Sequence, residues 1–182
     1  LKSKKPRNYA DFQDLHYDDN YFDFILASDV FEHVRLAERG FSEMYRVLKN
    51  AGYFIMTIPF DYSREKTKLR LSIGKEESDD KFIEPPEYHG GQTLVYRNFG
   101  RDIFETLCST GFNVAYIKVQ IPAFSISQQD IFICRKNSMP KINFLDDKVS
   151  IFINESYPAH AKYSITHASE DYFKTMIEKF YR

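Results

Sequence analysis

The sequence predicts an α/β fold organised around a strand-helix-strand crossover, and three observations predict it. The stretch Asp23-Phe-Ile-Leu-Ala-Ser-Asp29-Val-Phe-Glu32-His33-Val34 reads as an apolar strand that runs into a charged turn. From Leu36 the apolar residues move to helical spacing, at Leu36, Gly40/Phe41, Met44 and Val47/Leu48. Asn50-Ala51-Gly52 then gives a stop, and Tyr53 to Phe60 is again nearly all apolar. Two buried strands joined by a helix of this length form a crossover unit, which places ligands beyond the carboxyl ends of the strands. Asp29, Glu32 and His33 lie at that end.

Each element has a local reason. Tyr21 to Ser28 is continuously apolar apart from Asp23, the pattern of a strand covered on both faces. Asp29-Val30-Phe31-Glu32 has the spacing of a capping box at the start of the helix. Gly52 or Asn50 suits the positive φ at the helix end. Asp61 to Glu87 carries charges of both signs, Gly74 and Pro85-Pro86, and reads as a long loop or partial lid. Arg97-Asn98 opens a second helix with Ile103, Phe104, Leu107 and Cys108 on one face, ended by Gly111. Phe112 to Ile121 and Ile131 to Arg135 are predicted strands, separated by Pro122 to Asp130 and suited to an antiparallel pair. The tail adds a strand at Val149 to Asn154, a turn at Pro158/His160 and a helix from Ser169, striped by Tyr172, Met176 and Phe180.

Composition narrows the function classes. The chain has 182 residues, 43% of them hydrophobic, with 17 Phe, 13 Tyr and no Trp, enough for a core rich in rings. A net charge of -1 with both signs interspersed offers no field for phosphate backbones, so nucleic acid is not an expected partner. No run approaches the length of a membrane span and no signal core opens the chain, so a cytoplasmic protein is expected. Cys108 and Cys134 stand apart and read as reduced thiols. His16, His33, His89, His160 and His167 are scattered without ligand spacing, so no metal centre is expected.

The strand from Asp23, the Glu32-His33-Val34 that follows it and the Arg46-Val47-Leu48-Lys49 before Gly52 resemble the class I S-adenosylmethionine-dependent methyltransferases. In that family the fourth strand and next helix read Asp…Glu-His-Val and the fifth strand opens Arg-Val-Leu-Lys-Pro-Gly-Gly. Here Asn50 and Ala51 stand in place of Pro and the first Gly. The likeness runs from Tyr9 to Lys136. It implies a Rossmann-like fold with a mostly parallel sheet and an antiparallel final strand, and S-adenosylmethionine as cofactor. The family's glycine-rich cofactor loop lies upstream of these motifs, and the seven glycines here make no Gly-x-Gly turn. The expectation is therefore a fold truncated at its N-terminal half, with residues 1–136 as the carboxyl-side part of the domain and 137–182 as an extension.

The resemblance also assigns residues. Asp11 and Phe12 match the segment after the third strand that meets the adenine, though Asp11 by itself reads as a turn cap. Ser28, Asp29 and Val30 would line the methionine end of the cofactor, where a carboxylate favours a positive sulfonium. His33, at the helix start, is a candidate base, and also a packed histidine at a position that the family keeps for structure. His89 follows a stiff Pro85-Pro86 approach and precedes Gly90-Gly91, so it is the second catalytic candidate and, with Tyr88, a contact for the methyl acceptor. The expected activity is methyl transfer to a small-molecule, lipid-precursor or saccharide acceptor. The alternative is a non-catalytic remnant that serves as an interaction module. A sheet lacking its first strands would leave an edge for self-association, as would the C-terminal helix.

Overall fold

The computed structural model describes residues 10–121, 126–138 and 150–153. β1 (Phe22–Ser28) leads through a 3-10 turn (Phe31–His33) into α1 (Ala37–Val47), which passes directly into β2 (Leu48–Thr57). Small strands follow: β3 (Lys68–Leu69), β4 (Leu71–Ser72), β5 (Lys81–Phe82), β6 (Tyr88–His89), β7 (Thr93–Leu94) and β8 (Arg97–Asn98). α2 (Asp102–Thr110), β9 (Phe112–Ile121), β10 (Ile126–Lys136) and β11 (Ser150–Ile153) complete the order. The main sheet runs β1-β2-β10-β9-β11. β1 and β2 are parallel, as the crossover requires, whereas β10 pairs antiparallel with both β2 and β9, and β11 antiparallel with β9.

Parallel pairing is thus confined, among the described strands, to β1 with β2, and the expected predominance of parallel strands is not found there. The hairpin from β9 to β10 brings β10 back against β2 in the opposite sense, and that reversal makes both β10 pairs antiparallel. The expected cover on both faces of β1 also fails: Leu26 is 64% exposed while Ala27 is buried.

The core follows from the rings. Phe31 stacks on Phe41 of α1 at 4.3 Å and 10°, and touches Phe54 of β2 at 5.7 Å. Phe54 continues to Phe112, and Phe112 to Tyr45. A second group, Phe60, Phe104, Tyr116 and Phe132, packs edge to face and tilted at centroid distances of 5.2 to 6.0 Å. α1 turns Phe41, Met44 and Val47 inward, and α2 turns Ile103 and Leu107, which are the helical faces the sequence predicts. Gly111 caps α2 at φ 109.

Three local expectations are corrected. α1 does not begin at the charged turn: Val34 is extended at φ -82, ψ 116. The Val34 and Arg35 carbonyls, which would have propagated a helix, accept instead from the Arg97 guanidinium at 2.7 and 2.6 Å. For the same reason Arg97-Asn98 is strand rather than helix start, and α2 begins only at Asp102. At the exit of α1 neither Asn50 nor Gly52 takes positive φ; Ala51 does, at 61°. Phe22 pairs with Leu48 but Phe24 with Tyr53, so β2 bulges there. Gly52 is needed for space, since a Cβ would sit 2.8 Å from the Lys49 carbonyl oxygen and 2.9 Å from that of Asp23.

The segment read as a loop or lid, Asp61 to Glu87, holds the β4-β5 ladder and β3, which pairs with β8, and the β6-β7 ladder follows it. Arg35 ties it down, with a bidentate pair to Asp80 at 2.7 Å and a bond to the Gly74 carbonyl. Lys136 is buried and donates to the Tyr45 and Leu48 carbonyls and to Asn20, closing the end of α1 with a cation. Neither Cys108 nor Cys134 is joined in a disulfide among the described residues, and Cys134 is buried. No helix among the described residues is long and apolar enough to cross a membrane. The stripe of Tyr172, Met176 and Phe180 lies outside the described residues, as does the Pro158/His160 turn.

Candidate functional site

The carboxyl ends of β1 and β2 meet at a polar corner. Ser28 Oγ and Thr57 Oγ1 are 2.9 Å apart, and the Asp29 carboxylate receives Thr57 Oγ1 at 3.3 Å and Ser28 Oγ at 3.5 Å. Asp29 holds φ 49, a left-handed conformation that Asp tolerates better than most residues and that concentrates at functional corners. The expected capping box does not form: Val30 occupies the N-cap with no side-chain hydrogen bond, and Asp29 turns its carboxylate to the two hydroxyls. Val30 itself packs against the core.

Glu32, the other half of that expected box, goes inward. It is fully buried, and neither carboxylate oxygen accepts a hydrogen bond among the described residues. Burial pushes its carboxyl above the usual range and Asp29 adds to this; its own backbone N–H and the neighbouring imidazoles of His33 and His89 act the other way.

His33 and His89 come together beside it, their rings 5.0 Å apart and at 88°. The reason is the β6-β7 hairpin. Tyr88 pairs with Leu94 and His89 with Thr93, and Gly90 and Gly91 turn the chain at φ 55 and 86. Leu94 O accepts from His33 Nδ1 at 2.8 Å, and Tyr96 N–H donates to Glu32 O at 2.8 Å. The hairpin is therefore laced to the 3-10 turn, and Arg97 fastens the residues just after it. His89 Nε2 stands 3.4 Å from Glu87 Oε1. Tyr88 is exposed at the hairpin's outer end.

Asp11 and Phe12 approach the same turn from another direction. The Phe12 ring stacks on Phe31 at 5.8 Å and 27°, one residue beyond Val30. Asp11 Oδ1 accepts from Gln13 N at 2.9 Å and Gln13 Nε2 at 3.2 Å, so it does close a turn. Gln13 Oε1 in turn accepts from Leu36 N at 2.9 Å, which ties this segment to the start of α1.

Sequence reading missed Glu32 as a site residue, and missed Arg97 and Glu87. A carboxylate between Phe31 and the His33-Val34 pair was a visible signal for Glu32, because a charge set inside an apolar stretch must find a role or a partner. Arg97 between Tyr96 and Phe99 carried a similar signal.

Residues 2–56 match the family described as methyltransferase domain. Over 50 residues the chain is 44% identical to a sarcosine/dimethylglycine N-methyltransferase of Halorhodospira halochloris, covering 28% of this chain and 18% of that protein. Similar solved structures include an S-adenosylmethionine-dependent methyltransferase from Mesorhizobium loti, with 16% identity, TM-score 0.47, and 70% and 68% of the two chains covered. A phosphoethanolamine N-methyltransferase 2 of Haemonchus contortus has 14% identity and TM-score 0.43, with 70% of this chain and 36% of that one covered. Over residues 2–56 the chain is thus similar to methyltransferase domains. The chain spans only about a fifth of the curated relative's length.

Proposed function

We propose that this chain is the carboxyl-side part of a domain that transfers a methyl group from S-adenosylmethionine to a small-molecule, lipid-precursor or saccharide acceptor. Residues 1–136 form that part in this reading, and 137–182 an extension of which Ser150–Ile153 is laid against β9. The observation that carries the reading is the parallel pair β1 and β2, with Asp29, Glu32 and His33 at its carboxyl end and His89 brought to them by a hairpin. The curated relative is by name an amine methyltransferase, which puts amines among the acceptors to be tried.

The corner suits the amino-acid end of the cofactor. Two hydroxyls and one carboxylate stand at the edge of the sheet, the carboxylate matched to a positive centre and the hydroxyls to a carboxylate or an amine. Asp11 and Phe12 would meet the adenine, and Phe12 lies against the turn that follows Val30. When bound, S-adenosylmethionine supplies an electrophilic methyl group on a charged sulfur. The chain's own contribution is position and proton handling. A carbonyl can only accept, so His33 donates through Nδ1 and its Nε2 is the nitrogen that faces Glu32. His89, half-exposed on the hairpin with Tyr88, is the group that an acceptor can reach.

Release of S-adenosylhomocysteine from the native full-length protein with a panel of amines and hydroxyl compounds tests this. With a competent acceptor, His89→Ala is expected to lower kcat by about 10² to 10⁴ and to leave the affinity for S-adenosylhomocysteine within twofold. Unchanged turnover in that variant would contradict the role given to His89.

A further inference from the structure

Methyl transfer leaves the Glu32 carboxylate without a role. Glu32 is buried without a hydrogen-bond donor, yet two imidazole nitrogens face one of its oxygens. His33 Nε2 lies 3.6 Å from Glu32 Oε1 and His89 Nδ1 lies 3.8 Å from the same atom. Both separations exceed the roughly 2.7–3.2 Å of an N–H···O hydrogen bond, so the three groups are not joined as a proton relay. They are instead spaced as donors around a common centre. Ligands held about 2.1 Å from an ion at tetrahedral angles stand about 3.4 Å from one another. One donor atom from each of Glu32, His33 and His89 lies within 4.8 Å of the other two.

The outer nitrogens support the same arrangement. Leu94 O engages His33 Nδ1 at 2.8 Å, which turns the Nε2 lone pair toward Glu32. Glu87 Oε1 backs His89 Nε2 at 3.4 Å, which favours the proton there and the lone pair on Nδ1. Imidazoles backed by a carbonyl or a carboxylate on the far nitrogen are the form in which histidines bind metals. A buried carboxylate with no counter-ion is costly, and a dication supplies the charge that the protein does not.

We propose that Glu32 Oε1, His33 Nε2 and His89 Nδ1 bind one divalent transition-metal ion. Two imidazoles and one carboxylate select the zinc, iron(II) and manganese class over calcium and magnesium. Three protein ligands leave coordination positions free, and the half-exposed His89 places them where water or an acceptor's oxygen or nitrogen can enter. The binding site stands on this geometry; its use in acceptor chemistry rests on the methyl-transfer reading.

Cobalt(II) titration of the tag-free, chelator-treated native protein, followed by visible absorption, tests the site. One equivalent is expected to give d–d bands that zinc(II) abolishes. His89→Ala, a change on an exposed hairpin that leaves the core intact, is expected to weaken binding at least about 100-fold, and Glu87→Gln about tenfold. Failure of the folded protein to take up cobalt(II), zinc(II) or manganese(II) would overturn the site, as would unchanged affinity in His89→Ala. Calorimetry with S-adenosylhomocysteine on the same samples separates the two proposals. Nucleoside binding without metal uptake refutes the metal site alone, and metal uptake without nucleoside binding supports it and refutes the methyl-transfer reading.

Discussion

Arg97→Ala is expected to lower the stability of the protein by about 3–5 kcal/mol, measured as the loss in a urea unfolding curve. Arg97 is buried, only 3% exposed. It donates to Val34 O and Arg35 O, with Phe31 O at the limit of contact, and has no carboxylate within ion-pair distance among the described residues. Its charge is thus carried by carbonyl dipoles, and burial holds its pKa below the usual guanidinium value. Truncation leaves buried carbonyls unpaired, at about 1–3 kcal/mol each, and opens a cavity. The site should go with it. The bonds from Tyr96 to Glu32 and from Leu94 to His33 are made by the residues just before Arg97, so loss of that anchor frees the hairpin. Arg97→Lys keeps the charge but cannot fork between two carbonyls, and should recover only part of the loss. A fall of less than about 1 kcal/mol in Arg97→Ala would mean that the turn stands without it.

Phe41→Ala should cost about 3–5 kcal/mol in the same measurement. Phe41 is fully buried at the centre of α1, stacked on Phe31 and 6.4 Å from Phe99. Phe31 is the first residue of the 3-10 turn that carries Glu32 and His33, so the ring stack sets the height of the site above the sheet. Phe41→Leu, which refills much of the space, should cost about 1–2 kcal/mol. Leu26→Ala, on the exposed face of β1, serves as the comparison and should stay within about 0.5 kcal/mol of the parent. If Phe41→Ala cost no more than Leu26→Ala, the stack would not be what supports the turn.

The contrast between these two residues marks what could be read from the chain. Phe41 falls in a helical stripe, and periodicity alone placed it inward. The same holds for Ile103 and Leu107, for the glycine that ends α2, and for β9, whose limits the structure reproduces. Arg97 belongs to no period. Its position is decided by carbonyls far away in sequence, and that contact also broke the helix expected from the charged turn. Asp29 and Glu32 were misread for a related reason. Their spacing satisfies a local capping rule, but Thr57 on the neighbouring strand takes the Asp29 carboxylate and Glu32 turns into the core. His33 and His89 were each legible as candidates. Their meeting was not, because it depends on the β6-β7 ladder, whose two-residue strands carry too little pattern to be seen in sequence.

Calorimetric titration of the native full-length protein with S-adenosylhomocysteine tests most directly whether the corner at Ser28, Asp29 and Thr57 is a nucleoside-cofactor crevice. The expected result is a single site whose affinity falls tenfold or more in Asp29→Ala, about 1.4 kcal/mol or more. No binding heat from the folded protein, or equal affinity in the variant, would contradict the account and favour an interaction module built on the same fold.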